Sequence, residues 1–123
     1  MDEKFKVRKQ TINDVEIIYI YGILDAHTAP LLENSIKETI NNGIVRIVVN
    51  CKELEYISSA GLGVFMAFVE EIRYKNGDIK FSEMKDKIFS IFELLGFHLI
   101  FDILPNDEKA LDYFKLNLLK KNE

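Results

Sequence analysis

Tyr56-Ile57-Ser58-Ser59-Ala60-Gly61-Leu62-Gly63-Val64 is the stretch where an apolar, strand-like run stops at two serines and a helical pattern begins. From there Leu62, Phe65, Met66, Val69 and Ile72 recur at the spacing of one helix face, which marks a helix packed on a core. A serine ahead of such a pattern reads as an N-cap, its oxygen accepting first-turn N–H groups that lack intrahelical partners. Ser59 and Ser58 both fit that role. Gly61 and Gly63 each weaken a helix interior by about 1 kcal/mol against alanine. They need a reason beyond helix formation, and a bare backbone that another surface can approach closely supplies one.

Working outward, residues 44–49 form an apolar run interrupted only by Arg46, the pattern of a central strand covered on both faces. Further upstream, residues 5–12 alternate and residues 15–21 are rich in β-branched and aromatic side chains, with Asn13-Asp14 as turn chemistry between them; this predicts a hairpin. Thr28 then caps a helix with Pro30 in its first turn and an inward stripe of Leu31, Leu32, Ser35, Ile36, Thr39 and Ile40, ended by Asn42-Gly43. Downstream, the helix from Ala60 runs to about Lys75 and stops at Asn76-Gly77. A strand over residues 79–81, a helix over 87–95 closed by Gly96, a strand over 99–101 and a last helix from Glu108 to about Leu118 complete the pattern. The order β-β-α-β-α-β-α-β-α predicts an α/β fold: a mostly parallel five-stranded sheet, an edge strand from the hairpin, and four helices in a single domain over residues 1–123.

Composition narrows the function. With 48% hydrophobic and 29% charged residues in 123, the chain is of ordinary globular type and large enough for a core without staples. A net charge of -4 argues against a nucleic-acid partner, the nearest basic patch being Lys120-Lys121 beside Glu123. No apolar stretch is long enough for a membrane span, and Met1-Asp2-Glu3-Lys4 lacks a signal-peptide character, so a cytoplasmic location without membrane insertion is expected. Cys51 is alone, which excludes an internal disulfide and fits a small packed side chain. No metal site and no cofactor are expected.

Catalytic patterns are absent as well. Ser59 lacks the Gly-x-Ser-x-Gly nucleophile elbow, and His98 stands among aromatic residues as a packed or surface histidine. Glu70-Glu71 and Asp107-Glu108 are adjacent pairs on helices, whose side chains diverge and form no acid/base dyad. No phosphate-binding loop of the Walker type is present, and the chain reads as a binding module rather than an enzyme.

The segment Ser58-Ser59-Ala60-Gly61-Leu62 resembles the signature of the STAS domain of bacterial anti-sigma factor antagonists, and Gly22-Ile23-Leu24-Asp25-Ala26-His27-Thr28-Ala29-Pro30 is similar to a second family segment. Ile23 departs from the acidic or polar residue usual there, and Ser58 stands where many relatives have aspartate. The resemblance covers roughly residues 5–116 and implies that Ser59 is the hydroxyl phosphorylated by a partner kinase, with Ser58 a secondary acceptor. It implies contacts with that partner through Asp25, Thr28, Ser58, Gly61 and Gly63. The implied partners are an anti-sigma factor serine kinase of the GHKL type, whose capture releases a sigma factor, and a serine phosphatase that restores binding. Two other roles share the fold: a STAS subunit docked on an ABC transporter ATPase, and a partner-switching regulator of a non-sigma pathway. A small-ligand sensor is a third, in which Phe65, Met66, Phe92 and Phe97 would line a pocket.

Overall fold

The hairpin opens the sheet. In the computed structural model, which describes residues 4–121 and side chains as far as Leu116, β1 (Phe5–Ile12) pairs antiparallel with β2 (Val15–Leu24). Asn13 takes a φ of 56° in the connecting turn, a left-handed conformation that asparagine tolerates better than most residues. β2 then pairs in parallel with β3 (Arg46–Ile57), β3 with β4 (Asp78–Ser82) and β4 with β5 (Ile103–Leu104), so the spatial order follows the chain order. The helices are α1 (Ala29–Asn41), α2 (Ser59–Tyr74), α3 (Asp86–Leu94) and α4 (Asp107–Lys121).

Period-two alternation along the strands sorts side chains between two cores. Ile18 and Ile20 of β2, Ile47, Val49 and Cys51 of β3, and Ile79 and Phe81 of β4 face α1, α2 and α3. Val15, Ile17 and Val48 face the other way and meet Ala110 and Phe114 of α4. The larger core centres on Phe81, whose ring is edge-on to Phe65, Phe92 and Phe101 at centroid distances of 4.9, 5.0 and 5.3 Å. Phe65 and Phe92 are fully buried in that cluster and Phe97 packs against it, so these rings fill the core; Met66 is exposed.

Three other expectations are corrected. The last strand is Ile103–Leu104, because residues 97–99 wind into a 3-10 turn after Gly96, and Leu99 points to solvent. Leu31 is exposed, so α1 buries Leu32, Ile36 and Thr39 instead. α2 buries a broader stripe than one helix row, adding Val64 and Phe68 to Leu62, Phe65, Val69 and Ile72. The Lys120-Lys121 side chains and Glu123, like Met1, Asp2 and Glu3, lie outside the described residues.

One charged residue sits deep in the sheet. Lys80 on β4 is 1% exposed, with its Nζ 2.7 Å from Asp102 Oδ2 and 3.1 Å from Asp78 Oδ2, and 4.9 Å from the centre of the Phe114 ring. Two carboxylates and an aromatic face offset its desolvation and tie β4 to α4.

Candidate functional site

β2 and β3 end side by side, with Leu24 opposite Ile57, and the two sequence motifs start at those ends. The Ser58 amide donates to the Leu24 carbonyl at 2.9 Å, fastening the serine pair to the Asp25 loop. Ligand and partner sites of parallel sheets lie at the carboxyl ends of strands, where loops lead into helices. Here both loops are brought to one place.

Ser58 is the N-cap of α2. Its backbone is extended, its carbonyl accepts the first helical bond from the Leu62 amide at 3.0 Å, and its Oγ accepts from the Gly61 amide at 3.3 Å. Ser59 is therefore the first helical residue rather than the cap, and it is exposed together with Ala60. First-turn amides have no intrahelical acceptor. With Gly61 capped by Ser58, those of Ser59 and Ala60 stand open beside the Ser59 hydroxyl. An anion there would meet two donors and the positive end of the helix dipole.

The two glycines part company. A Cβ on Gly61 would lie 2.7 Å from Leu24 Cγ and 3.0 Å from the Leu24 carbonyl oxygen, so this residue is bare in order to seat α2 on the end of β2. Gly61 is buried and offers no outer surface. Gly63 is exposed, and a Cβ there would meet nothing within 4 Å, so the fold leaves its bare backbone on the outside.

The Asp25 loop is braced from within. Thr28 is 6% exposed; its Oγ1 accepts from the Asp25 amide at 2.9 Å and donates to the Ile23 carbonyl at 2.8 Å. Thr28 thus staples the turn ahead of α1, its hydroxyl engaged within the loop. It precedes α1 as the N-cap residue, but its side chain makes no cap bond to the helix. Asp25 Oδ1 accepts from the amides of His27 at 2.9 Å and Thr28 at 3.1 Å.

Burial pushes the Asp25 carboxyl up, but bonds from the His27 and Thr28 amides, the Lys4 charge and the Thr28 hydroxyl outweigh it, and its pKa falls below the ordinary value. A depressed folded-state pKa stabilises the fold above the ordinary carboxylate value and ceases to do so as pH falls through the lowered one. An NMR titration is expected to place the Asp25 midpoint below that of a peptide aspartate, with the His27 and Thr28 amide shifts moving at the same midpoint. A midpoint at the peptide value would show that the turn is not closed on the carboxylate.

Three large apolar side chains on β3, α1 and α2 reach the surface. Tyr56 is 50% exposed, Leu31 55% and Met66 37%. Lys85 and Lys87 at the start of α3 reach back to Glu55 at 2.6 and 3.0 Å, and their bonds and charges lower the Glu55 carboxyl pKa. The sequence signal for Leu31 and Met66 was their presence on amphipathic helices, which does not say which edge of the stripe stays outside.

A second polar cluster lies at the start of α4. Asp107 accepts from Asn50 Nδ2 at 3.0 and 3.1 Å and from Ser82 Oγ at 2.5 Å, joining α4 to β3 and β4. The Tyr19 phenol beside it is raised in pKa by burial, then by the Asp107 charge. Asn50 is a polar residue buried in β3 between Val49 and Cys51. Cys51 is fully buried and its thiol is pushed well up by desolvation, which keeps it protonated and packed. His98 stands edge-on to Phe89, with ring centroids 6.3 Å apart. Among the described residues no cluster of His, Cys, Asp and Glu is placed to hold a metal ion, and no helix is long and apolar enough to cross a membrane.

Residues 6–110 match the STAS domain. The chain belongs to the STAS domain family. This STAS chain is 30% identical over 113 residues to BtrV of Bordetella bronchiseptica, named as a candidate anti-sigma factor antagonist, covering 92% of this chain and 97% of that protein. It is 29% identical over 101 residues to the anti-sigma-B factor antagonist of Bacillus subtilis, covering 81% and 90%. By structure it is similar to the anti-sigma factor antagonist SpoIIAA in its unphosphorylated form, with a TM-score of 0.78 and 18% identity over 89% of this STAS chain and 96% of that one. The Bacillus SpoIIAA in its phosphorylated form superposes with a TM-score of 0.68 and 20% identity, covering 89% and 98%. At those identities the two structures establish the STAS fold.

Proposed function

We propose that this chain is an anti-sigma factor antagonist: unphosphorylated, it binds an anti-sigma factor that is also an ATP-using serine kinase of the GHKL type, so that a sigma factor is released. Phosphorylation of Ser59 by that kinase ends the association, and a serine phosphatase restores it. The observation that carries this reading is the exposed Ser59 on the first residue of α2, in the serine pair fastened through Ser58 to the end of β2 ahead of the Asp25 loop. A phosphate adds about -1.5 to -2 charge there. The open amides of the helix start accommodate it within this chain, whereas a partner surface fitted to a hydroxyl does not. The names of the relatives and the existence of a phosphorylated SpoIIAA support the same reading. The chain acts in the cytoplasm as a regulator and not an enzyme, and nucleotide belongs to the kinase.

Incubation with ATP and the candidate anti-sigma kinase of the same genome, followed by intact-mass and fragment mapping, tests this. One phosphate on Ser59, absent from Ser59→Ala, is the expected outcome. No phosphate from a kinase that hydrolyses ATP in the same tube would sink the reading and favour a structural STAS subunit.

A further inference from the structure

We infer that Ser58 is not a second acceptor but the positioning residue for modification at Ser59. This inference rests on the kinase-substrate reading above. The two adjacent hydroxyls have different jobs in the fold: Ser58 Oγ is turned back onto the Gly61 amide at 3.3 Å, while Ser59 is exposed on the first helical residue. Ser58 is also held at its backbone from both sides, its amide on the Leu24 carbonyl at 2.9 Å and its carbonyl on the Leu62 amide at 3.0 Å. The serine that caps is thus fixed between β2 and α2, and it sets the direction in which its neighbour projects.

The first turn has little else to keep it wound. It contains Ala60 and Gly61, is followed directly by Gly63, and has no acidic side chain to complement the dipole. Glycine favours the unwound chain. The Ser58 hydroxyl is therefore the local element that closes the turn against fraying, and closing it presents the Ser59 oxygen and the open Ser59 and Ala60 amides together. Transfer then breaks the bond between the γ-phosphorus of ATP and its bridging oxygen, forms a bond from Ser59 Oγ to that phosphorus, and leaves ADP with the hydroxyl proton passed to the kinase. Ser58 takes no part in bond making.

Three substrates decide the matter: wild type, Ser58→Ala, and Ser58→Asn, which restores a cap without adding charge. Each is incubated with the anti-sigma kinase and ATP for rate and site mapping, and each is measured without kinase for amide exchange at Gly61. Loss of a cap of ordinary strength corresponds to about a fivefold effect. Ser58→Ala is expected to exchange at Gly61 about fivefold faster and to be phosphorylated at Ser59 about fivefold more slowly, with Ser58→Asn returning both to near wild type. Phosphate on Ser58 in wild type, equal rates for wild type and Ser58→Ala, or no recovery in Ser58→Asn would each overturn the positioning role while leaving the kinase-substrate reading intact. Absence of any phosphate on wild type would overturn that reading, and this inference with it.

Discussion

Ser59→Glu is expected to fold as well as wild type and to bind the anti-sigma factor about a hundredfold more weakly, a loss of about 2–3 kcal/mol. The fold tolerates the change because position 59 is exposed and begins a helix whose first turn has no acidic residue, so a carboxylate there complements the dipole. On the proposed reading the partner does not tolerate it, because an unpaired charge would enter a contact otherwise made by a hydroxyl and the bare backbone at Gly63. Titration calorimetry against the anti-sigma factor, with thermal melts of both proteins, separates these effects. Equal affinity for the two proteins would place the partner surface elsewhere on the molecule.

Gly77→Ala is expected to be strongly damaging, lowering stability by about 3 kcal/mol and the melting temperature by on the order of 10 °C. A Cβ at Gly77 would sit 1.9 Å from the Val45 carbonyl oxygen and 2.6 Å from its carbon. That is backbone, and it is pinned: the same carbonyl accepts from the Asp78 amide at 3.0 Å as β4 begins beside β3. No side-chain rotation relieves the clash, so the entry of β4 must move away from its neighbour. Gly63→Ala serves as the opposite control, since an exposed helical glycine with open space around it gains about 1 kcal/mol from alanine. Thermal unfolding that ranks Gly77→Ala at or above wild type would show that the two segments do not approach as described.

The same glycine shows what local reading can and cannot reach. Asn76-Gly77 marks the end of α2 in the sequence, and the end is there. Yet the left-handed residue is Asn76, with φ 67°, and Gly77 is bare for the sake of Val45, some thirty positions earlier in the chain. Gly61 and Gly63 divide in a similar way, one closed against Leu24 and the other open to solvent. The serine pair announces a helix start, but which hydroxyl turns inward follows from the hydrogen bond that the Ser58 amide donates to the Leu24 carbonyl. Thr28 was legible as the residue ahead of a helix, whereas its burial was not. The shift of the last strand from residues 99–101 to Ile103–Leu104 has the same origin, for the apolar character of Leu99 and Ile100 is common to a strand and to the 3-10 turn they enter.

By itself the sequence determined the kinds and order of the elements, the hairpin edge and the helix-start position of the serine motif. These are carried by periodicity, capping and turn chemistry within a few residues of one another. Only the tertiary structure decided which candidate residues face outward: Ser59, Gly63, Tyr56, Leu31 and Met66 are exposed, while Gly61 and Thr28 are buried. It alone joined Asn50 and Ser82 to Asp107, and Lys80 to Asp102. The physical reason is that exposure and pairing depend on what a second element places against the first, and the local chain does not encode that neighbour.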